Sequence, residues 1–243
     1  MADTTERFQV LETSELFADI PSFARETILS SARLKRFEYG QLLFVMADPI
    51  KETFLLLQGC AMITQHTRDG GEIVLRIIAP GELVGDLGRK PGSIHPSTAR
   101  ALQECEALVW PAETFEAAVI RFPILRHNII RILQRRIADM ENRICRVSTQ
   151  HASDRVASEL VRLSNQIGQK VNSHVEIKIP QEALARMAAM NLWTLNRVLG
   201  GLEDQGFVRV RRMCIEVHDS PGLCMRPGCI SHKGSNTASL SSA

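Results

Sequence analysis

The fold of this protein is decided by residues 181–206, which read QEALARMAAMNLWTLNRVLGGLEDQG. The segment follows Pro180, a residue that suits the first turn of a helix. Apolar residues recur at helical spacing on both sides of residues 189–191, which predicts two short helices joined by a tight turn. The side chains that we expect to be buried are Leu184, Ala185, Ala188, Leu195, Val198, Leu199 and Leu202. This pattern predicts a helix-turn-helix, whose second helix enters the major groove of DNA, and the alternative is plain structural packing of two helices.

The second helix carries a polar outer face that suits the recognition of bases. Arg197 can donate two hydrogen bonds to guanine, and Asn196 can pair with adenine. Thr194 is expected to contact a phosphate group. Two interpretations of Trp193 stay open, because a large amphipathic ring can contact a thymine methyl group or a sugar, or can fold back onto the core of the motif.

A two-stranded wing is predicted beyond Gly206, because residues 207–212 and 214–218 alternate like strands. Arginines on such a wing lie against the phosphate backbone, where they add affinity and salt dependence but do not read sequence. The arginines that we expect in this role are Arg209, Arg211 and Arg212.

Residues 37–110 have the pattern of a β-rich domain. Short runs of β-forming residues alternate with turn residues at nearly even spacing, which predicts an antiparallel barrel or sandwich. Asp69-Gly70 is the strongest hairpin signal in this region. Short helical pieces are expected around residues 16–17 and 28–29.

A long helix is predicted after the break at Phe122-Pro123. Its apolar residues recur at alternating steps of three and four, the spacing of a seam shared by two coiled helices. We define the seam as Ile130, Leu133, Ile137, Met140, Ile144 and Val147. The pattern favours a homodimer, and the alternative is an amphipathic helix that lies on its own domain. A helix at residues 154–168 and a strand at 175–179 are expected next.

Composition limits the class of protein. The chain has 243 residues, of which 44% are hydrophobic, and a mean hydropathy of -0.04, which suits two soluble domains. Apolar runs fall short of a membrane span, the N-terminus lacks a signal-peptide pattern, and the six cysteines are scattered, so we expect a cytoplasmic protein without a membrane partner. Residues 1–112 contain 11 Lys and Arg against 15 Asp and Glu, and residues 113–243 contain 18 against 12. This asymmetry is typical of a sensor joined to an anion-binding module.

Two sets of residues are typical of one known family. The second half contains Leu184, Ala185, Met187, Leu195, Asn196, Arg197, Val198, Leu199, Leu202, Glu203, Gly206, Phe207 and Val208. The first half contains Phe37, Gly40, Leu43, Phe44, Leu57, Gly59, Pro80-Gly81-Glu82, Gly85-Asp86-Leu87 and Ser97-Thr98-Ala99. The chain resembles the cyclic-AMP receptor protein / fumarate-nitrate regulator (Crp/Fnr) superfamily of bacterial transcription factors over nearly its whole length.

The resemblance implies an α+β fold. Its expected parts are a cyclic-nucleotide-binding-type β-roll that senses an effector at residues 1–122, a dimerisation helix at 123–150, a winged helix-turn-helix at 151–230 and a disordered tail at 231–243. It also implies a homodimer that binds a palindromic operator in double-stranded DNA, with RNA polymerase as a further partner. The alternative is an effector-binding module that acts on a protein partner, because β-rolls of this type also control kinases and channels. Catalytic residues are not expected, since the sequence lacks a nucleophile motif, a phosphate loop and a helically spaced pair of His ligands.

The effector region departs from the cyclic-AMP-binding members of the family. Those members meet the cyclic phosphate with an Arg-Ser pair and read adenine with a Thr-Ser pair on the dimer helix. Here His95-Pro96 stands at the first pair and Met140-Glu141 at the second. A phosphate site without its arginine loses a charge-assisted partner, so cyclic AMP is not the expected effector. The candidate effector residues are Gly85, Asp86, His95, Ser97 and Thr98.

The cysteine pattern predicts neither an iron–sulfur cluster nor a metal ion. The fumarate-nitrate branch holds its cluster with closely spaced N-terminal cysteines, whereas the first cysteine here is Cys60. The cysteines expected to be buried or neutral are Cys60, Cys105 and Cys145. The residues that could form a zinc site or a redox-sensitive pair are Cys214, Cys224 and Cys229, with His218 and His232 nearby. Their spacing matches no recognised metal motif, so no metal is predicted.

Overall fold

The structure is a computed structural model that describes residues 4–67, 70–85, 88 and 90–224. The expected tail at 231–243 lies outside the described residues, as do Asp69, Asp86, Cys229 and His232. The chain begins with helical elements, which are α1 (Thr4–Thr13), a 3-10 helix (Glu15–Phe17) and α2 (Ser22–Ser30). The last two of these confirm the short helical pieces expected from the sequence.

The β-rich half is built from antiparallel strands. They are β1 (Arg33–Phe37), β2 (Leu42–Phe44), β3 (Glu52–Gln58), β4 (Ala61–His66), β5 (Glu72–Ile78), β6 (Leu83–Val84), β7 (Thr98–Ala101) and β8 (Cys105–Pro111). One sheet has the order β1-β8-β3-β6 and the other the order β2-β7-β4-β5. A buried cluster contains side chains from all of these strands, which confirms the predicted antiparallel β architecture. The hairpin between β4 and β5 is closed by a hydrogen bond of 2.8 Å from the backbone N of Thr67 to the carbonyl of Gly71.

Two helices, α3 (Ala112–Arg121) and α4 (Pro123–Thr149), follow the β-roll. The apolar side chains that the first half of α4 buries are Leu125, Ile129 and Ile132. Asn128 lies among them, and its Nδ2 donates to the carbonyls of Leu16 at 3.0 Å and Ala18 at 2.7 Å. The start of α4 is therefore fixed to the N-terminal helices and the β-roll, whereas most side chains of its second half are exposed.

The second half of the chain is rich in helix. Its elements are α5 (Ala152–Gln166), β9 (Gln169–Val171), β10 (His174–Ile177), α6 (Gln181–Met187), α7 (Leu192–Asp204), β11 (Val208–Arg211), β12 (Cys214–Val217) and α8 (Ser220–Cys224). The strands form one antiparallel sheet in the order β11-β12-β10-β9. A buried apolar cluster joins α5, α6 and α7 to this sheet. The predicted helix-turn-helix is confirmed as α6 and α7, and β11 and β12 form the wing.

Some details differ from the sequence-based expectations. The strand expected at 175–179 ends at Ile177, and Ile179 is buried without belonging to a strand. Val198 is only partly buried, because it lies at the margin of the cluster that α7 contacts. The sequence did not predict α1, β1, β6, β7, β9 or α8, and all of these except α1 are five residues or shorter. Among the described residues, no helix combines the length and apolar composition that a membrane span requires.

Candidate nucleic-acid interface and effector region

The turn before α7 sets the direction of that helix. Ala189 has a φ of +52°, in the left-handed region, and reverses the chain after α6. The side-chain oxygen of Asn191 then accepts a hydrogen bond of 2.8 Å from the backbone N of Thr194, which caps the start of α7. Because Leu195 and Leu199 are buried, the opposite face of α7 points outward.

The outer face of α7 brings together most of the side chains expected to contact bases. Trp193 is 70% exposed, which excludes the interpretation that it folds back onto the core. The guanidinium carbon of Arg197 lies 5.0 Å from the centre of a Trp193 ring, within the range of a cation–π interaction. Asn196 is exposed beside them, and Thr194 is partly buried. The indole thus supports the guanidinium on the surface that would face a major groove.

The wing is connected to α7 by a side chain. Glu203, near the end of α7, accepts a hydrogen bond of 3.0 Å from the backbone N of Val210 in β11. In the antiparallel pair of β11 and β12, Arg211 lies opposite Cys214. The wing and the second helix of the motif therefore present one continuous surface.

The wing arginines are not equivalent. Arg209, Arg211 and Arg212 are all exposed, as a role at the phosphate backbone requires. Arg211 differs from the other two because its Nε donates to a carboxylate oxygen of Glu216. Glu216 is only 4% exposed, so this ion pair holds Arg211 against the sheet.

Most side chains of the seam on α4 are exposed to solvent in the single chain. Five of its side chains are between 40% and 63% exposed, and they are Ile130, Ile137, Met140, Ile144 and Val147. Leu133 is partly buried because it lies where α4 leaves the β-roll. Apart from Leu133, the apolar residues of α4 that pack on the chain's own roll belong to a different stripe, which includes Leu125, Ile129 and Ile132. This disfavours the interpretation that the seam covers its own domain.

The candidate effector region contains two arginines that the sequence did not single out as effector residues. Gly85 accepts hydrogen bonds at its carbonyl from Arg76 Nη2 at 3.2 Å and from Arg136 Nη1 at 3.3 Å. Arg136 Nη2 also donates to the carbonyl of Leu83 at 2.6 Å. Glu82 lies nearby, and burial raises the pKa of its carboxyl group, although Arg76 and Arg136 oppose that shift. Guanidinium groups from a strand and from α4 therefore converge on this loop.

The other described candidates of the effector region are buried. His95 is 4% exposed, and its ring stacks on Phe44 with 3.9 Å between ring centres. Thr98 Oγ1 accepts a hydrogen bond of 3.0 Å from the backbone N of Met46, and Ser97 is 3% exposed. His95 therefore takes part in aromatic packing, a geometry unlike that of a side chain that extends to a phosphate.

Two family models match the chain, and they correspond to its two halves. The model described as a cyclic nucleotide-binding domain matches residues 34–121. The model described as a Crp-like helix-turn-helix domain matches residues 154–226. The chain belongs to the Crp/Fnr superfamily of transcription factors.

This Crp/Fnr regulator has relatives of similar length. It is 26% identical over 211 residues to the cyclic AMP receptor protein of Thermus thermophilus, and the matched region covers 86% of this chain and 95% of that protein. It is 25% identical over 198 residues to the fumarate and nitrate reduction regulatory protein of Escherichia coli, and the matched region covers 81% of this chain and 79% of that protein. The solved structure of FixK2 from Bradyrhizobium japonicum shares its fold with a TM-score of 0.70 at 16% identity, over 79% of this chain and 95% of that one. The two relatives matched by sequence are Crp/Fnr transcription regulators, which are not enzymes.

The described cysteines of this Crp/Fnr regulator lie in different environments. Burial raises the pKa of Cys60 to about 12 and that of Cys105 to about 11, so both are neutral thiols. Cys145 is exposed, so of the two expected states, buried or neutral, burial is wrong for it. Cys214 is partly buried in the wing, and burial raises the pKa of its thiol.

Proposed function

We propose that this protein is a homodimeric regulator that binds a palindromic operator in double-stranded DNA, contacts RNA polymerase, and is controlled by a signal at its β-roll. The observation that carries the proposal is the outer face of α7. There an exposed indole supports the guanidinium of Arg197 beside the amide of Asn196. Guanidinium and amide groups are the side-chain groups that pair bidentately with guanine and adenine.

The dimer is supported by the open seam. Large apolar side chains that are contiguous and exposed are typical of an interaction surface. The alternating steps of three and four let a second copy of α4 pack knobs into holes along the whole row. Two copies related by such a seam would present two α7 helices, as a palindromic operator requires.

Control by the β-roll is supported by the contacts of α4 with both halves. Arg143 Nη1 donates to the carbonyls of Val74 at 2.6 Å and Leu75 at 3.0 Å, both in β5. Its Nη2 donates to the carbonyl of Arg186 in α6 at 3.5 Å. Arg186 also forms an ion pair with Glu72 in β5. A movement of β5 would therefore reach the helix-turn-helix through direct contacts.

The signal is proposed to be a ligand or stimulus other than cyclic AMP. A missing hydrogen bond to a charged group is worth ~1.5–3 kcal/mol, or about one to two factors of ten in affinity, and here both the phosphate and adenine contacts are altered. We expect calorimetric titration of the full-length protein with cyclic AMP to give an affinity weaker than micromolar. A sub-micromolar affinity would contradict this part of the proposal, and Arg76→Ala and Arg100→Ala would then identify the arginine that binds the phosphate.

The DNA-binding proposal is tested by selecting bound duplexes from a random pool with the full-length protein. We expect a two-fold-symmetric sequence whose half-sites are about 34 Å apart, one helical turn. A parallel selection with Asn196→Ala/Arg197→Ala serves as the matched control and should lose the consensus. Repetition in the presence of cell extract tests dependence on a signal. Enrichment of an asymmetric single half-site, or no enrichment, would contradict the proposal.

A further inference from the structure

Four side chains with metal-binding groups lie together on one face of the C-terminal sheet. In the pairing of β10 with β12, Glu176 lies directly opposite Glu216. The register extends to His174 and His218, whose ring centres are 5.2 Å apart. Residues two apart in a strand share a face, and so do residues directly opposite each other. The cluster is therefore a two-by-two array of two imidazoles and two carboxylates.

Three of the four side chains have donor atoms close enough to share one ion, and His218 adjoins this group through Glu216. The ligand atoms of His174, Glu176 and Glu216 all lie within 4.8 Å of one another. His174 Nε2 is 3.8 Å from Glu176 Oε1, and His218 Nε2 is 3.5 Å from Glu216 Oε2. Zn²⁺ binds nitrogen and oxygen at about 2.0–2.2 Å, so tetrahedral ligand atoms lie roughly 3.3–3.6 Å apart. The two His–Glu distances are therefore close to the spacing that a shared ion requires.

The array also contains groups that a cation would satisfy. The Nε2 atom of His174 is buried and has no hydrogen-bond partner among the described residues. Like charges directly opposite each other on neighbouring strands repel, and this applies to Glu176 and Glu216. Lys178 Nζ lies 3.5 Å from Glu176 Oε2, and Arg211 pairs with Glu216. Both of these cations are about half exposed, so they can move aside for an ion.

We propose that His174, Glu176, Glu216 and His218 form a binding site for a divalent transition metal, with Zn²⁺ as the best-matched ion. Imidazole nitrogen together with carboxylate oxygen suits zinc, whereas Ca²⁺ and Mg²⁺ take oxygen ligands. The expectation of no metal rested on the spacing of the cysteines. The ligand pattern is instead His-x-Glu in β10 and Glu-x-His at the end of β12, which strand register brings together.

Metal binding at this site changes the wing. Glu216 holds Arg211 through its carboxylate, and a metal ion competes for the same oxygens. Release of Arg211 from Glu216 leaves its guanidinium able to contact phosphate groups together with those of Arg209 and Arg212, which are also exposed. This consequence rests on the proposed DNA-binding function, whereas metal binding itself does not.

The test uses the full-length protein after removal of metal ions with a chelator. Co²⁺ is titrated as a substitute for Zn²⁺, because its visible absorption reports coordination, and Zn²⁺ is then added to displace it. We expect one site per chain. The variant His174→Gln/His218→Gln should bind Co²⁺ at least about tenfold more weakly. The control variant His66→Gln/His127→Gln changes two exposed histidines outside the array and should bind normally.

Further variants make the result decisive. If the double histidine variant does not unfold cooperatively, His218→Gln alone replaces it, because that side chain is 38% exposed and its loss leaves the core intact. Cys224→Ser/Cys229→Ser removes the C-terminal thiols and should not change Co²⁺ binding. Unchanged affinity in the histidine variants, or lost affinity in the cysteine variant, would overturn the proposal.

DNA binding provides a separate measurement. Zn²⁺ should raise the affinity of the unaltered protein for all duplexes, and Arg211→Ala should abolish this increase. If Co²⁺ binds as expected but Zn²⁺ leaves DNA affinity unchanged, the role of Arg211 is wrong and the metal site stands. If the protein binds no DNA under any condition, the proposed function fails, and the Co²⁺ titration still decides the metal site.

Discussion

Helices α4 and α7 each bury one face in their own chain and leave the other face open, but the two open faces differ in chemistry. The open face of α4 is the seam, a row of large apolar side chains. The open face of α7 carries Trp193, Asn196 and Arg197. An apolar row gains most by losing water against another apolar row, whereas amide and guanidinium groups need polar partners when water is removed. The same burial pattern thus favours a second copy of the chain at α4 and nucleic acid at α7.

The largest effect should come from charges on the open face of α4. Ile137→Asp/Ile144→Asp would place unpaired carboxylates in a dimer interface, at about 3–5 kcal/mol each, and should leave monomers. Sedimentation velocity measures the outcome. The matched control is Ala138→Asp/Cys145→Asp, which adds the same charges at exposed positions outside the seam and should remain dimeric. An unchanged dimer in the seam variant would contradict the assignment of this face.

The buried face of α4 should respond in the opposite way. Leu125 is fully buried against the N-terminal helices, so Leu125→Ala should lower the free energy of unfolding by about 2–5 kcal/mol. The dimer should persist under native conditions, because the seam is untouched. Denaturant unfolding and sedimentation of the same sample separate the two properties. If Leu125→Ala produced stable monomers, the roles given to the two faces would have to be exchanged.

The open face of α7 should control sequence preference. Arg197→Ala should cost ~1–3 kcal/mol of specific binding and relax the preference at one base pair in each half-site. Binding to a panel of operators with single base changes measures this effect. An equal loss on operator and random DNA would show that Arg197 contacts only the backbone.

The smallest effect should be seen on the wing, and there the arginines should differ. Arg209→Ala should weaken binding to all sequences alike and reduce the salt slope of log K by about one. Arg211→Ala should change the slope less in metal-free protein, because Glu216 already holds that guanidinium. Titration at several salt concentrations compares the two variants directly. Equal slopes for Arg209→Ala and Arg211→Ala would mean that the ion pair with Glu216 opens when DNA binds.

Sequence patterns were sufficient to predict those elements whose formation depends on a local repeat of apolar residues. The seam, the two helices of the motif and most strands of the β-roll were recognisable, because apolar residues repeat with a fixed period over several turns or strands. The elements that were missed, α1, β1, β6, β7, β9 and α8, are too short or too weakly amphipathic for that signal.

Contacts between residues that are far apart in the sequence could not be predicted from local periodicity. The stacking of His95 on Phe44, the convergence of Arg76 and Arg136 on Gly85 and the pairing of Arg211 with Glu216 all depend on tertiary structure. The His and Glu array was hidden for the same reason, since its two ligand pairs lie on strands that α6 and α7 separate in sequence. The His-x-Glu pair in β10 and the Glu-x-His pair at the end of β12 were the local signals that could have indicated it.

The hydrogen bond from Val210 to Glu203 also affects how the C-terminal sheet meets other sheets. β11 is an edge strand, and edge strands offer backbone groups with which a strand of another chain can pair and aggregate. Glu203 occupies one of these donors, so α7 shields the edge next to it. The other edge, β9, is three residues long and carries the exposed Lys170, and both features oppose strand addition. Sheet-mediated aggregation is therefore resisted at both edges, even where many copies of the chain are crowded together.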